Sequence, residues 1–190
     1  MTQSDDDIYR ERLRNERPLL GDSPADIQQL LNLAREKTGA NTSDFDNIET
    51  YCMFIGYPRS GHSIVGSLLD AHDRIIIAHE LNALKFIEAG CEYRELYWLL
   101  LFNSQQFAQF GRTWGDYQYE VPGQWQGRFS DLRVIGDKKG GTSSMLIGRR
   151  PGMLLQLEKT VPHPVRFIHV VRNPYDNIAT LARKDTGGFP

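Results

Sequence analysis

Residues 56–63 read Gly-Tyr-Pro-Arg-Ser-Gly-His-Ser, after a short apolar run and before apolar residues at helical spacing. The frame is G-x-x-x-x-G-K-S, a phosphate-cradling loop, with His62 at the lysine position. Such a stretch binds anions. Gly56 and Gly61 let the backbone curl so that N–H groups point inward, and the next helix start adds unpaired donors and a positive dipole end. Arg59 supplies a fixed charge, and Ser60 and Ser63 supply hydroxyls. Triphosphate enzymes with this loop place a lysine on the terminal phosphates and a hydroxyl on Mg²⁺. Here the cation stands three residues earlier, and no convincing metal-holding acid follows a strand, Asp137 being the nearest candidate. Another activated anion fits better, and no metal is expected.

Three other sets carry chemistry. Arg172 is expected at the end of an apolar run, where a guanidinium grips a phosphate through two hydrogen bonds. Thr180 follows about two helical turns later. Lys138 and Lys139 follow another apolar run, and a lysine at a strand end can point into the crevice where α/β sheets hold ligands. Lys138 is the first choice and Lys139 the second. His79 and Glu80 end a third run. His79 titrates near neutrality, whereas Glu80 works best as a base if burial raises its pKa.

Residues 57–63 resemble the 5′-phosphosulfate loop of the sulfotransferase family, usually P-[KR]-S-G-[TS]-[TS], with His62 departing from the common Thr. The continuation Leu-Leu-Asp-Ala-His at 68–72 is similar to the family's tyrosylprotein branch. Residues 170–180 resemble its 3′-phosphate motif, a strand ending in Arg, then Asn-Pro, an Asp, and a Ser or Thr eight residues after the Arg. The resemblance covers roughly residues 50–185. It implies a P-loop-like α/β fold and 3′-phosphoadenosine 5′-phosphosulfate as donor. It places Arg59, Ser60, Gly61, His62 and Ser63 at the donor's 5′ end, and Arg172 and Thr180 at its 3′-phosphate. It puts Arg59 on the leaving phosphate, a donor-contacting lysine at about Lys138, and a base at Glu80, with His79 as the competing choice. The acceptor is a hydroxyl or amine on a small molecule, carbohydrate or peptide. The family's later basic, glycine-containing segment is not found up to Pro190, so the chain is expected to be C-terminally truncated or a short form. The alternatives are a P-loop kinase or NTPase with a divergent lysine, and an inactive nucleotide-binding module.

These side chains need elements to hold them. Residues 51–55, 74–78, 132–135 and 165–171 read as strands. Helical spacing marks 62–72, 81–89, 92–110, 142–160 with a break at Pro151-Gly152, and 173–182. Mostly apolar strands alternating with helices predict an α/β fold, a parallel sheet flanked by helices. Ser23, Pro24 and Asp26 predict a helix start, and Ile27, Leu30, Leu31 and Leu33 an apolar stripe ending at Gly39. Residues 1–48 are expected to form a polar arm and helix, and 49–190 the α/β domain, with the core opening at Thr50. The aromatic-rich residues 111–130 predict an irregular segment or hairpin, as a satellite hydrophobic cluster in preference to an acceptor surface.

The 190 residues are 40% hydrophobic and 24% charged, which excludes a wholly disordered or collagen-like chain. A net charge of −2 argues against a nucleic-acid partner. Residues 1–50 carry 6 basic and 11 acidic side chains, and residues 131–190 carry 10 and 5, so the C-terminal third suits an anion. The longest apolar run, 97–102, falls far short of the ~20 residues that span a bilayer. The acidic opening lacks the order of a signal peptide. A cytoplasmic protein with no membrane contact is therefore expected. Cys52 and Cys91 stand in no metal or redox spacing and are expected to be free thiols.

Overall fold

The computed structural model describes residues 23–39, 43–114 and 117–185; the expected arm at 1–22 lies outside them. The elements in chain order are α1 (Pro24–Thr38), β1 (Thr50–Ile55), α2 (His62–Asp70), β2 (Ile75–His79), α3 (Ala83–Glu88), α4 (Tyr93–Gln109), β3 (Thr113–Trp114), β4 (Tyr117–Gln118), β5 (Val134–Lys138), α5 (Gly140–Arg149), α6 (Gly152–Thr160), β6 (Val165–His169) and α7 (Pro174–Asp185). The α/β expectation holds. Four parallel strands run in the order β2-β5-β1-β6, with Tyr51 beside Ile135 on one side and Val165 on the other. The chain leaves β1 toward β2 and later crosses back to β6. β1 thus sits where strand order reverses, the position at which open α/β sheets form a crevice beyond their carboxyl ends.

Successive strand residues point to opposite faces. Tyr51, Met53, Ile76, Ala78 and Ile135 enter one cluster with residues of α1, α3, α4 and α6. Cys52, Phe54 and Ile77 enter a second with Val65 and Leu69 of α2. Helices on both faces explain why β1 is apolar along nearly its whole length. Both cysteines are buried free thiols. Among the described residues no helix is long and apolar enough to cross a membrane.

Three expectations change. The core does not open at Thr50. Leu31 and Ala34 of α1, with Phe45 and Ile48 behind it, are buried in the same cluster as Leu96 and Tyr97 of α4. The stripe on α1 needs an apolar partner, and α4 is it. Ser23 starts α1 as expected, its Oγ accepting from the Asp26 N–H at 3.2 Å. The third core strand is not 132–135 but Val134–Lys138, carrying two buried ionisable side chains that the apolar pattern could not include. The fourth core strand ends at His169, so Arg172 stands in the loop before α7. There the Asn173 carboxamide oxygen caps α7 by accepting from the Tyr175 N–H at 3.0 Å. The hairpin predicted within 111–130 is β3–β4, Thr113 pairing with Gln118.

Candidate anion-binding cavity

A cavity of about 790 Å³ opens beyond the carboxyl ends of the sheet, lined by residues that follow β1, β2, β5 and β6 and by the β3–β4 hairpin. The loop after β1 forms one part. Gly61, at φ +102°, caps α2 in a left-handed conformation that glycine adopts without cost. Arg59 adopts φ +64° with a side chain, at a cost of roughly 1–2 kcal/mol. Its Nη2 is buried and has no partner among the described residues. A guanidinium nitrogen left so in a cavity wall fits an anionic ligand, because its desolvation is offset only when an acceptor arrives. Ser60 is held by Asn177 of α7, whose Nδ2 donates to Ser60 Oγ at 3.1 Å. Residue Asn177 carried no expectation, although it lies in the second motif.

His62 does not mimic a phosphate-gripping lysine. Its Nε2 lies 3.0 Å from the Ile55 carbonyl oxygen, as a donor in the tautomer that this acceptor requires. Burial lowers its pKa against the opposing pull of that hydrogen bond, so the ring stays neutral at the loop floor.

A second helix start reaches the cavity; a helix was expected from residue 142, but no binding role was assigned to its opening residues. Gly140, Gly141 and Thr142 open α5 and line the same cavity. A side chain at Gly140 would meet His62 Cε1 at 2.7 Å, and one at Gly141 would meet Pro58 Cγ at 2.9 Å. Only glycines let this helix approach the first loop. Two helix N-termini therefore converge, each adding free N–H groups and a positive dipole end. Lys-Lys-Gly-Gly-Thr, two residues after an apolar run, was the available signal.

The strand ends beside this loop form a charge lattice. Glu80 Oε1 lies 2.6 Å from Lys138 Nζ, and Glu80 Oε2 lies 2.7 Å from Lys139 Nζ. Lys138 also donates to Ser63 Oγ at 2.9 Å. Glu80 is left-handed, at φ +64°, and its N–H donates to the Lys138 carbonyl at 3.3 Å. Burial alone raises the Glu80 pKa, but the two lysines outweigh it and the net direction is down. Glu80 is thus a carboxylate at neutral pH, not the raised-pKa acid that base catalysis favours. Burial draws Lys138 down and Glu80 opposes that shift. Lys138, 1% exposed, is buried beside the cavity, and Lys139, 15% exposed, lines it. The cavity-facing lysine is therefore Lys139, the second choice from the sequence.

His79 is also displaced from its expected role. Its ring stacks on Phe107 at 4.2 Å and meets Trp114 at 5.0 Å between centroids. It does not line the cavity, whereas Glu80 does. Burial, then the nearby lysine and arginine charges, push its pKa well below the usual imidazole value. Asp137 serves structure: its carboxylate accepts from the Leu81 and Ala83 N–H groups at 3.1 and 2.8 Å at the start of α3. Burial raises its pKa to about 6.

The second motif arrives from the other edge of the sheet. Arg172 Nη1 donates to the Arg59 carbonyl at 3.3 Å, and its Nε lies 3.7 Å from Asp176 Oδ2. Arg172 and Thr180 line the cavity with Arg59, 113 residues separating the two arginines. Thr180 Oγ1 donates to the Asp176 carbonyl at 2.7 Å, and to donate to a phosphate its O–H has to turn away from that carbonyl. The arrangement supplies three cations, two helix starts and several hydroxyls to one crevice. Comparison with protein-family models, curated proteins and solved structures found no match for the chain.

Proposed function

We propose that this cavity binds 3′-phosphoadenosine 5′-phosphosulfate and transfers its sulfuryl group to a hydroxyl or amine, on a fold of the P-loop type used by sulfotransferases. The observation that carries the reading is the meeting of Arg172 with the Arg59 loop, since it brings two motifs distant in sequence to one cavity. The unpartnered Nη2 of Arg59 supports it from the side of the ligand. In this reading the loop and the two helix starts hold the 5′-phosphosulfate, and Arg172 and Thr180 hold the 3′-phosphate. The donor supplies the sulfuryl group: an acceptor O–S or N–S bond forms as the S–O bond to the 5′-phosphate breaks. Arg59 and Lys139 stabilise charge on the leaving phosphate. Glu80, ionised and lining the cavity, takes the acceptor proton, and Lys138 holds that carboxylate in place.

Calorimetry separates this reading from a kinase or NTPase. Adenosine 3′,5′-bisphosphate is expected to bind without Mg²⁺, and more tightly than ATP with Mg²⁺; the reverse order sinks the proposal. Arg59→Ala is expected to abolish sulfuryl transfer from the donor. Donor binding without turnover on hydroxyl or amine acceptors would instead favour an inert binding module.

A further inference from the structure

Trp114, Tyr117 and Tyr119, on and just after the β3–β4 hairpin, line the same cavity as the anion loop, and the Tyr119 side chain is hydrogen-bonded to Ser63 of that loop. Tyr117 is 48% exposed, at the rim. The polar group of the hairpin is already engaged: Gln118 accepts from Thr113 Oγ1 at 2.8 Å and donates to the Gly111 carbonyl at 2.6 Å. Two arginines flanking it in sequence are engaged too. Arg112 is buried on Asp70 at 2.8 Å, and Arg128 donates to the Gln124 carbonyl at 2.8 Å and lies over Trp125. What the hairpin offers the cavity is the aromatic faces of Trp114, Tyr117 and Tyr119.

The hairpin is tied to α2, the helix whose first turn belongs to the anion loop. Ser67 Oγ donates to the Tyr119 carbonyl. Gln126 Nε2 donates to Ser67 Oγ at 2.7 Å and to the Tyr119 carbonyl at 3.0 Å. Asp70, wholly buried, holds Arg112 and also accepts from Ser104 Oγ and the Gly127 N–H. Ser63 lies at the loop, and Ser67 and Asp70 follow it on the same helix. At 1.5 Å per residue the tethers stand about 6 and 10 Å along the axis from Ser63. One rigid helix therefore sets the separation between the anion loop and the aromatic wall.

We propose that this hairpin is the acceptor-binding wall, that it takes an uncharged ring bearing a hydroxyl, and that Ser67, Asp70 and Arg112 are the positioning residues that hold it in register with the loop. The proposal rests on the donor reading above. Flat aromatic faces stack on the apolar face of a ring. A bound donor already occupies the cations with its own negative charge, so a second anion beside it is repelled. An aryl alcohol and a neutral sugar both present this chemistry.

The test is saturation-transfer NMR on protein loaded with adenosine 3′,5′-bisphosphate, using 2-naphthol, N,N′-diacetylchitobiose and, as an anionic control, 2-naphthoate. One neutral probe is expected to bind at least tenfold more tightly than 2-naphthoate, and which one binds identifies an aryl or a sugar acceptor. Tyr117→Ala, at an exposed position, is expected to weaken that probe about tenfold with nucleotide affinity within twofold of wild type, and Tyr117→Phe to restore it. Arg112→Lys is expected to raise acceptor KM while leaving nucleotide affinity unchanged. Tighter binding of 2-naphthoate, or Tyr117→Ala binding the neutral probe as wild type does, overturns the proposal. Absence of bisphosphate binding to the wild type overturns the donor reading instead, and the probes on unloaded protein still test the hairpin.

Discussion

The two sides of the sheet bring charge to the cavity in different states. On the β2–β5 side, Glu80, Lys138 and Lys139 form a closed lattice with contacts of 2.6 and 2.7 Å. The strands beneath it are buried apart from their first residue. On the β6–α7 side, Arg172 is 45% exposed, and its contacts to Arg59 and Asp176 are 3.3 and 3.7 Å. β6 is an edge strand with three of its five residues exposed. A mostly buried, mutually paired lattice resists displacement, because moving one member leaves another charge short of a partner in low dielectric. An exposed arginine with long contacts reorients at little cost. Under the proposed function, the first side would preset geometry where bonds are exchanged, and the second would capture a ligand charge by adapting to it.

Lys138→Ala strikes the rigid side hardest. It removes one partner of Glu80 and the aliphatic stem that packs against Gly66. A stability loss of about 3 kcal/mol is expected in denaturant titration; a loss under about 1 kcal/mol would show that the lattice is not rigid. Arg172→Ala probes the adaptable side. Donor affinity is expected to fall by about 1.5–3 kcal/mol for the lost charged hydrogen bond, with stability within about 0.5 kcal/mol of wild type. Unchanged affinity for adenosine 3′,5′-bisphosphate would remove the 3′-phosphate assignment. Thr180→Val is milder, about 0.5–1.5 kcal/mol in nucleotide affinity, and a loss as large as that of Arg172→Ala would mean that the two sides differ less than their contacts imply.

The smallest effect concerns pH. The His79 pKa is depressed in the folded protein from an ordinary value of 6.5. The unfolded state therefore binds more protons below that pH, and the contribution of the neutral ring to stability is lost as pH falls from 6.5. His79→Phe is expected to flatten the urea midpoint against pH between about 6.5 and 5. An unaltered slope would show that His79 is not the group held neutral behind the aromatic wall.

The anion loop was legible in the sequence because its requirements are local. Glycines for the turn, an arginine and hydroxyls at fixed spacing, and a strand before and a helix after all lie within a dozen residues. The Arg172–Thr180 segment was legible through its resemblance, although Arg172 itself sits beyond the strand that was expected to end in it. The α5 helix was expected from residue 142, but the role of its opening was not: Gly140-Gly141 repeats the logic of the first loop without its frame. Asp137 and Lys138 were harder, because a buried carboxylate and a buried ammonium break the apolar pattern by which strands are recognised. They are tolerated inside because the N–H groups that open α3 and the Glu80 carboxylate satisfy them. The choices of Lys139 over Lys138 for the cavity, and of Glu80 over His79, depend on which way adjacent side chains alternate at a strand end, and a one-residue shift inverts that.

By itself, then, the sequence determined the alternation of strands and helices, the parallel α/β class and the two stretches proposed to bind an anion, because periodicity and turn chemistry act over a few residues. Only the tertiary structure decided that those stretches share one cavity, that a second helix start joins them, and that an aromatic hairpin completes the walls. These are long-range contacts, set by strand order and by a helix tethered at both ends, and neither leaves a mark in local spacing.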